Sequence, residues 1–423
     1  MSETIDVAAL DLARHLRCGD RIVLGQGCGE PITLVEALIA QGRGIGGLQA
    51  FIASSFSGLL TPETADSFAL SSMGAIGRLR AMTKANALQV IPCHVGQVGP
   101  LIEQGVIGCD VAMIQVSPAD AEGNHSLGLI SDHVLSAVQR ARVVIAEVNP
   151  QVPFSFGESL PGSCIDVAVA VDRAPVEVAQ GTIGPVDEAI ARHCAQFIGD
   201  GAVIQTGVGA VPDAILRLLY DRKDLGAHSG MFGDGLVDLA EAGVLTNARK
   251  EIDRGVSING ALLGTRRLYD FAHRNPALRM MRSDYTHGAG VLAQLSRLVT
   301  INSAIEVDLT GQVNAEQSGE SYLGGTGGQV DFVRAGVRSP GGHSIIALSS
   351  TAKAGALSKI VPTLSGPVTT GRSEVDIIVT EYGAAQLRGQ TLAERARRLV
   401  AIAHPDFREE IERAAHTIAR RGF

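Results

Sequence analysis

The sequence lacks the features that mark several broad classes of protein. Its formal net charge is -8, and it has no basic tail, basic stripe or aromatic-basic patch, which argues against nucleic-acid binding. No stretch approaches the roughly 18 uninterrupted apolar residues that a membrane-spanning helix needs. Residues 1–10 contain no basic segment followed by an apolar core, so they do not predict a signal peptide. We therefore expect a cytoplasmic protein with neither a nucleic-acid nor a membrane partner.

Cysteine pairs with the spacing of redox or zinc sites are also missing. The chain has six cysteines, and none forms a CxxC pair. They are Cys18, Cys28, Cys93, Cys109, Cys164 and Cys194. This scatter predicts reduced core thiols in a cytosolic protein, and no metal site is expected.

The composition is that of a compact protein. The chain has 423 residues, of which 45% are hydrophobic and 19% are charged, enough for two ordinary domains with a large core. Strand-like apolar runs at residues 21–24, 110–116 and 142–148 alternate with helical patterns such as residues 34–39. This alternation predicts an α/β protein with mainly parallel sheets covered by helices. Residues 392–420 predict a helical C-terminal segment.

An internal repeat indicates two related domains. Residues 19–29 read GDRIVLGQGCG and residues 199–209 read GDGAVIQTGVG; each is an apolar strand followed by Gly-x-Gly and a helix with an early proline, Pro31 or Pro212. We predict two tandem homologous open α/β domains, residues 1–185 and 186–423, joined near Pro185.

Four glycine-containing segments are candidate ligand or catalytic sites. The turns at residues 25–29 and 207–209 each follow a strand and open a helix, where backbone N–H groups can receive an anion. The loop at residues 324–329 has four glycines within five residues and runs into residues 330–333, which resemble a strand. Residues 224–235 combine His228 and Ser229 with acidic residues and glycines. No Gly-x-Ser-x-Gly motif surrounds Ser229, so a serine hydrolase triad is poorly supported.

Several of these segments resemble one family. Residues 29–31 (GEP), 146–149 (AEVN), 207–214 (GVGAVPDA), 234–239, 264–271, 327–334, 380–383 and 402–408 are similar, in order, to motifs of the acetyl-CoA hydrolase/4-hydroxybutyrate CoA-transferase group of class I CoA-transferases. The resemblance implies two open α/β domains, an acyl-CoA and a carboxylate as substrates, and a homodimer. It also implies covalent catalysis by a glutamate, which carries CoA as a thioester before a second carboxylate accepts it.

The sequence departs from the family pattern at the nucleophile. The family's glutamate stands in a stretch like H-S-E-M-x-x-D-G, and this chain has Gly230 at that position, between Ser229 and Met231. A glutamyl-CoA intermediate cannot form on glycine. Three interpretations remain open: hydrolysis or a lyase-type reaction without that intermediate, CoA transfer through another carboxylate (Glu30, Glu316 or Glu320), and a non-catalytic CoA-binding or regulatory protein.

The remaining candidate site residues follow partly from the resemblance and partly from side-chain chemistry. The oxyanion and CoA contacts would come from Gly207, Val208, Gly209, Ala210, Gly325, Gly327 and Gly328. His228 or Glu30 would activate water in a hydrolase. The chain has five lysines, and two of them, Lys353 and Lys359, are candidate partners for the phosphates of CoA. The site would lie between the two domains.

Overall fold

The computed structural model describes residues 3–421, and its first large sheet is built from residues 3–170. The strands are β1 (Glu3–Asp6), β2 (Arg21–Leu24), β3 (Gln49–Phe51), β4 (Ala69–Ser72), β5 (Leu88–Val90), β6 (Val111–Val116), β7 (Val143–Val148) and β8 (Val167–Ala170). They lie in the order β1-β8-β7-β6-β2-β3-β4-β5, and every neighbouring pair is parallel. β6 is buried at every residue, as expected for a strand covered on both faces.

The second large sheet is built from residues 203–386. Its strands are β9 (Val203–Thr206), β10 (Gly226–Ala227), β11 (Leu298–Ser303), β12 (His343–Ala347), β13 (Ile377–Thr380) and β14 (Gly383–Gln386). They lie in the order β10-β9-β11-β12-β13-β14, and the only antiparallel pair of this sheet is the hairpin of β13 and β14. Short strands form smaller sheets around the two large ones. We call the part of the chain that carries the first large sheet the first half, and the part that carries the second large sheet the second half. One small sheet joins the two halves, because Phe156–Gly157 pairs with Leu278–Met280.

Helices cover both sheets. They are α1 (Ile32–Ile45), α2 (Arg80–Lys84), α3 (Val95–Glu103), α4 (Val134–Arg140), α5 (Pro185–Ala195), α6 (Ala210–Arg217), α7 (Asp234–Glu241), α8 (Arg266–Ala272), α9 (Ser283–Thr286), α10 (Ala289–Leu292), α11 (Gln329–Arg338), α12 (Leu392–Ile402) and α13 (Pro405–Arg421). α1 packs in a core of the first sheet, and α12 and α13 pack in a core of the second. A larger apolar core draws residues from α3 to α8 and from both sheets, so it runs continuously between the halves.

The predicted α/β architecture with mainly parallel sheets is confirmed. The predicted strands at residues 21–24, 110–116 and 142–148 correspond to β2, β6 and β7, and the C-terminal helical segment forms α12 and α13. The strand-like interpretation of residues 330–333 is wrong, because they lie within α11. A run of four residues cannot separate the strand period from the helix period.

The prediction of core thiols is correct for four cysteines and wrong for two. Cys28, Cys93, Cys109 and Cys194 are buried, whereas Cys18 and Cys164 are exposed, and all six are free thiols. In residues 3–421, no helix combines the length and apolar character needed to cross a bilayer. The same residues contain no group of three or more His, Cys, Asp or Glu side chains placed to hold a metal ion.

Candidate active site

A cavity of about 610 Å³ lies between the two halves of the chain. Its walls follow the carboxyl ends of parallel strands in both sheets. In the first half, Gln26, Ser54 and Met73 lie just beyond the ends of β2, β3 and β4. In the second half, the turn beyond β9 and the last residues of β11 complete the wall. Clefts outside the carboxyl ends of parallel strands are the usual ligand sites of open α/β sheets. The cavity is therefore the candidate active site.

Two glycine segments form part of the cavity wall. Gly207, Val208 and Gly209 connect β9 to Ala210, the first residue of α6, and all four residues line the cavity. Gly209 has φ of +125°, which favours glycine. The segment places the amino end of α6, with its N–H groups, at the cavity wall.

The second glycine segment, residues 324–328, is fixed against the first half of the chain. Ala75 N donates to Gly324 O at 2.7 Å, and Val95 N donates to Gly327 O at 3.0 Å. A Cβ on Gly74 would stand only 2.4 Å from Gly324 O, so this close backbone approach requires glycine. Gly325, Gly327 and Gly328 all line the cavity. The loop therefore forms a wall that is held by main-chain hydrogen bonds to the opposite half.

Gly230 also lines the cavity, and an imidazole occupies the space beside it. A Cβ on Gly230 would lie 2.7 Å from His287 Cε1 and 2.8 Å from His287 Nε2. A Cβ on Gly328 would lie 2.3 Å from the same Nε2. The His287 ring therefore fills a slot between Gly230 and Gly328, and both positions must be glycine for it to fit. Burial lowers the pKa of His287 to about 4, so the ring is neutral near pH 7.

Local hydrogen bonds fix the orientation of His287. Its backbone N donates to Ser283 O at 2.9 Å at the end of α9, and its Nδ1 lies 2.8 Å from Thr286 Oγ1. The ring also contacts the Phe332 ring, with centroids 4.6 Å apart. Ser283 N in turn donates to Asp132 O at 2.9 Å, which ties α9 to the first half of the chain. The imidazole is thus held by contacts from several elements.

His228 lies behind this site and does not line the cavity. It is fully buried, and its Nε2 lies 3.2 Å from Thr286 O, so the neutral ring donates from Nε2. Burial, helped by the charge of Lys250, lowers the pKa of His228 to about 3. Lys250 Nζ donates to Ala227 O and Val256 O at 3.1 and 2.8 Å. His228 therefore supports the chain segment that carries His287.

An acidic side chain and a second histidine line the cavity next to each other. Asp132 Oδ2 accepts from Gln26 Nε2 at 2.6 Å, while its buried Oδ1 has no hydrogen-bond partner. Burial raises the pKa of Asp132 to about 7. Burial lowers the pKa of His133 to about 4, and the buried His133 Nε2 also has no partner. Most buried polar atoms in proteins have a hydrogen-bond partner, so these two atoms at the cavity are candidates for a role in the site.

Glu30 is buried, but it does not line the cavity. Its carboxylate accepts four hydrogen bonds, from Ser55 Oγ, Phe56 N, Ser57 N and Ser57 Oγ, at 2.5–3.2 Å. Burial raises its pKa, and these four donors oppose that rise. The arrangement holds the loop at residues 55–57, whose Phe56 faces the cavity.

The other predicted carboxylates and lysines also lie away from the cavity. Glu316 accepts hydrogen bonds from Tyr322 Oη at 2.5 Å and Thr369 Oγ1 at 2.8 Å, and Glu320 is exposed. Lys353, with φ of +50°, lies in the hairpin between Thr351–Ala352 and Leu357–Ser358, and Lys359 follows that hairpin. None of these four residues lines the cavity.

The structure thus brings together one part of the predicted site. Gly207, Val208, Gly209, Ala210, Gly230, Gly325, Gly327 and Gly328 meet at the cavity, and His228, Glu30, Lys353 and Lys359 do not. Asp132, His133 and His287 were not predicted. The adjacent Asp132 and His133 between apolar runs are a weak signal for a buried polar site, and the sequence around His287 gives none.

The chain is similar to known proteins over most of its length. Residues 7–180 match the acetyl-CoA hydrolase/transferase N-terminal domain, and residues 264–415 match the acetyl-CoA hydrolase/transferase C-terminal domain. The 4-hydroxybutyrate coenzyme A transferase of Clostridium kluyveri is 40% identical over 396 residues, which cover 92% of each chain. The structure of RipA from Yersinia pestis superimposes with a TM-score of 0.91 at 34% identity, covering 99% of this chain and 97% of that one. A 4-hydroxybutyrate CoA-transferase from Porphyromonas gingivalis has a TM-score of 0.83 at 35% identity, covering 99% and 98%.

Proposed function

Because the chain belongs to the acetyl-CoA hydrolase/transferase family, we propose that it processes an acyl-CoA thioester in the cavity between its two halves without a glutamyl-CoA intermediate. The reaction is hydrolysis or a lyase-type step on the acyl-CoA. Coenzyme A is the substrate carrier, and the cavity would hold the acyl end with its thioester.

One observation carries this proposal: the position that resembles the family's nucleophilic glutamate is Gly230, and it lies in the cavity wall. No side chain can extend from residue 230 into the cavity, and the adjacent slot is filled by the His287 imidazole. The sequence and the packing around it therefore support a reaction in which no carboxylate attacks from this position.

The two glycine segments fit the electrostatic requirements of thioester chemistry. Attack on a thioester carbonyl creates an oxyanion, which backbone N–H groups at a helix start or glycine turn can stabilise. The Gly207–Gly209 turn and the Gly325–Gly328 loop are the candidates, since both line the same cavity as Gly230. Apolar side chains such as Phe56, Met73 and Ile301 line the same cavity, which suits an acyl chain.

CoA transfer through another nucleophile is the main alternative, and the Clostridium kluyveri relative is a transferase by name. It would use a short acyl-CoA and a carboxylate acceptor. Glu30 accepts four hydrogen bonds, Glu316 accepts two, and Glu320 is exposed; none of the three lines the cavity, so none favours this alternative. A non-catalytic CoA-binding or regulatory protein is the third possibility.

Three further assignments complete the proposal. Lys353 and Lys359 would contact the phosphates of CoA outside the cavity. The protein would act as a homodimer, and it would do so in the cytoplasm. These assignments rest on the family resemblance and on the sequence.

The test is release of free CoA from purified protein. A panel of short, branched and dicarboxylic acyl-CoAs is incubated with and without acetate, and both free thiol and acyl-CoA products are followed by mass spectrometry. Hydrolysis predicts free CoA at a rate that does not depend on acetate. Formation of acetyl-CoA would favour the transferase alternative, and tight CoA binding without turnover would favour the non-catalytic one.

A further inference from the structure

We propose that His287 is the general base that replaces the missing carboxylate, taking a proton from the water that attacks the acyl-CoA thioester. This inference rests on the proposed function and names the group that performs it. It concerns a residue that the sequence motifs do not single out.

The position of the ring is the first argument. His287 lines the cavity, and its Cε1–Nε2 edge lies where a side chain on residue 230 would begin. Both neighbouring glycines are needed for this placement, because a Cβ on Gly230 or Gly328 would overlap the ring. The imidazole therefore stands at the place in the cavity from which the family's carboxylate would act.

A base at this position needs the proton of the neutral ring on Nδ1. Thr286 Oγ1 lies 2.8 Å from His287 Nδ1 and 3.5 Å from Ser283 O, so a Thr286 hydroxyl that points to Ser283 O accepts from His287 Nδ1–H. With the proton on Nδ1, Nε2 carries the free lone pair. His228 supports the same arrangement from behind by donating to Thr286 O.

The other titratable groups in and near the cavity are less well placed. Asp132 lines the cavity, but its free Oδ1 lies against Gly260, where a Cβ would stand 2.1 Å from it. His228 is turned to Thr286 O and lies outside the cavity wall, and the Glu30 carboxylate is occupied by four donors. His133 lines the cavity, but its ring packs edge-on against Phe51 with centroids 5.9 Å apart. His287 is the one that combines a place beside Gly230 with an oriented, free nitrogen.

The step balances without a further reagent. His287 Nε2 accepts a proton from water while the water oxygen forms a C–O bond to the thioester carbonyl carbon. The tetrahedral oxyanion collapses with cleavage of the C–S bond, and the imidazolium returns its proton to the departing CoA sulfur. The products are the free acid and CoA, and the histidine is regenerated.

The experiment compares His287→Ala with wild type in acyl-CoA hydrolysis, with and without added imidazole. Removing a general base is expected to lower kcat by about 10²–10⁴-fold. Because the slot between Gly230 and Gly328 is then empty, added imidazole is expected to restore part of the rate in a saturable way. His287→Asn serves as the second variant if the alanine variant does not fold. Binding of CoA, measured by calorimetry, should persist in the variant that is used.

A matched control is His133→Ala, which removes another buried imidazole from the same cavity but not from the slot. Imidazole is expected to leave its rate unchanged. Equal rescue of both variants would overturn the proposal, as would a folded His287 variant that hydrolyses acyl-CoA within threefold of the wild-type rate. In the latter case the proposed function would stand. Absence of acyl-CoA turnover in wild type would instead overturn the proposed function and the role of His287 together.

Discussion

Substitution of Gly230 should destabilise the protein only while the His287 ring is present. The backbone of Gly230 has no positive φ, so alanine is allowed there by conformation. Its Cβ would nevertheless lie 2.7 and 2.8 Å from two ring atoms of His287, whereas carbon contacts are normally about 3.5–4.0 Å. The ring cannot retreat easily, because Gly328 lies on its other side and Thr286 Oγ1 holds Nδ1. Overpacking of this kind costs about 1–3 kcal/mol.

The assay is a double-mutant cycle with four proteins: wild type, Gly230→Ala, His287→Ala and the double variant. Differential scanning calorimetry at a fixed scan rate should show a lower Tm for Gly230→Ala, by about 1 °C for each kcal/mol in a chain of this length. In the His287→Ala background, Gly230→Ala should change the free energy of unfolding little, because the ring that would overlap the new Cβ is absent. The expected coupling is therefore about 1–3 kcal/mol.

The packing argument is refuted if the effects of the two substitutions on the free energy of unfolding are additive. Additivity would mean that the His287 ring does not occupy the space next to residue 230. The same cycle bears on Gly230→Glu, which would place a carboxylate where the proposed alignment with the family puts its nucleophile. That substitution should be tolerated only with His287→Ala, and the pair is then expected to gain CoA transfer to acetate.

Three further outcomes are expected. The kcat/KM for hydrolysis should fall below about pH 4, where His287 becomes protonated. Of the titratable groups near the ring, His228 stays neutral above this pH, burial raises the pKa of Asp331, and burial raises the pKa of Asp132, which lines the same cavity, to about 7. The profile is therefore measured in an Asp132→Asn background, where a break near pH 6.5 would contradict the lowered pKa of His287. Burial raises the pKa of Glu147 from 4.5 to about 7, so between these pH values the folded state holds a proton that the unfolded state has released. The free energy of unfolding of wild type, relative to that of Glu147→Gln, should therefore fall by about 1.4 kcal/mol per pH unit as pH rises from about 4.5 to 7 and then level off. Free energies from urea denaturation that change in parallel with pH in the two proteins would contradict this. Glu30→Gln should lower the free energy of unfolding by about 1–3 kcal/mol, and with it Tm, because the NH₂ group of glutamine would face donors that now bind a carboxylate oxygen. An unchanged Tm would show that the four hydrogen bonds of Glu30 do not stabilise the fold.

The strands and the strand–glycine–helix turns could be predicted from the sequence because their signals are local. β2 and β9 are apolar runs bounded by glycines, and their side chains alone indicate a buried strand that ends in a turn. Residues 330–333 show the limit of such signals. They form one turn of α11, and the burial of Val330, Val333 and Gly336 along one helix face becomes visible only over the whole element.

The centre of the candidate site could not be predicted, because packing between distant segments creates it. His287 meets Gly230 across 57 intervening positions and Gly328 across 41, and no motif connects them. Asp132 joins the same region because its backbone carbonyl accepts from Ser283 N. In contrast, the glycine turns at residues 207–210 and 325–328 could be predicted, since the resemblance to the family covers both.

The most direct test of the account is a single turnover of wild-type protein with acyl-CoA in H₂¹⁸O, followed by mass spectrometry of the free acid and of the intact protein. Without a glutamyl-CoA intermediate, CoA should be released, one ¹⁸O should appear in the acid, and the protein should carry no CoA adduct at any time. Accumulation of a covalent protein–CoA thioester that is discharged by acetate would contradict the account, because it would place a nucleophilic carboxylate elsewhere in the chain.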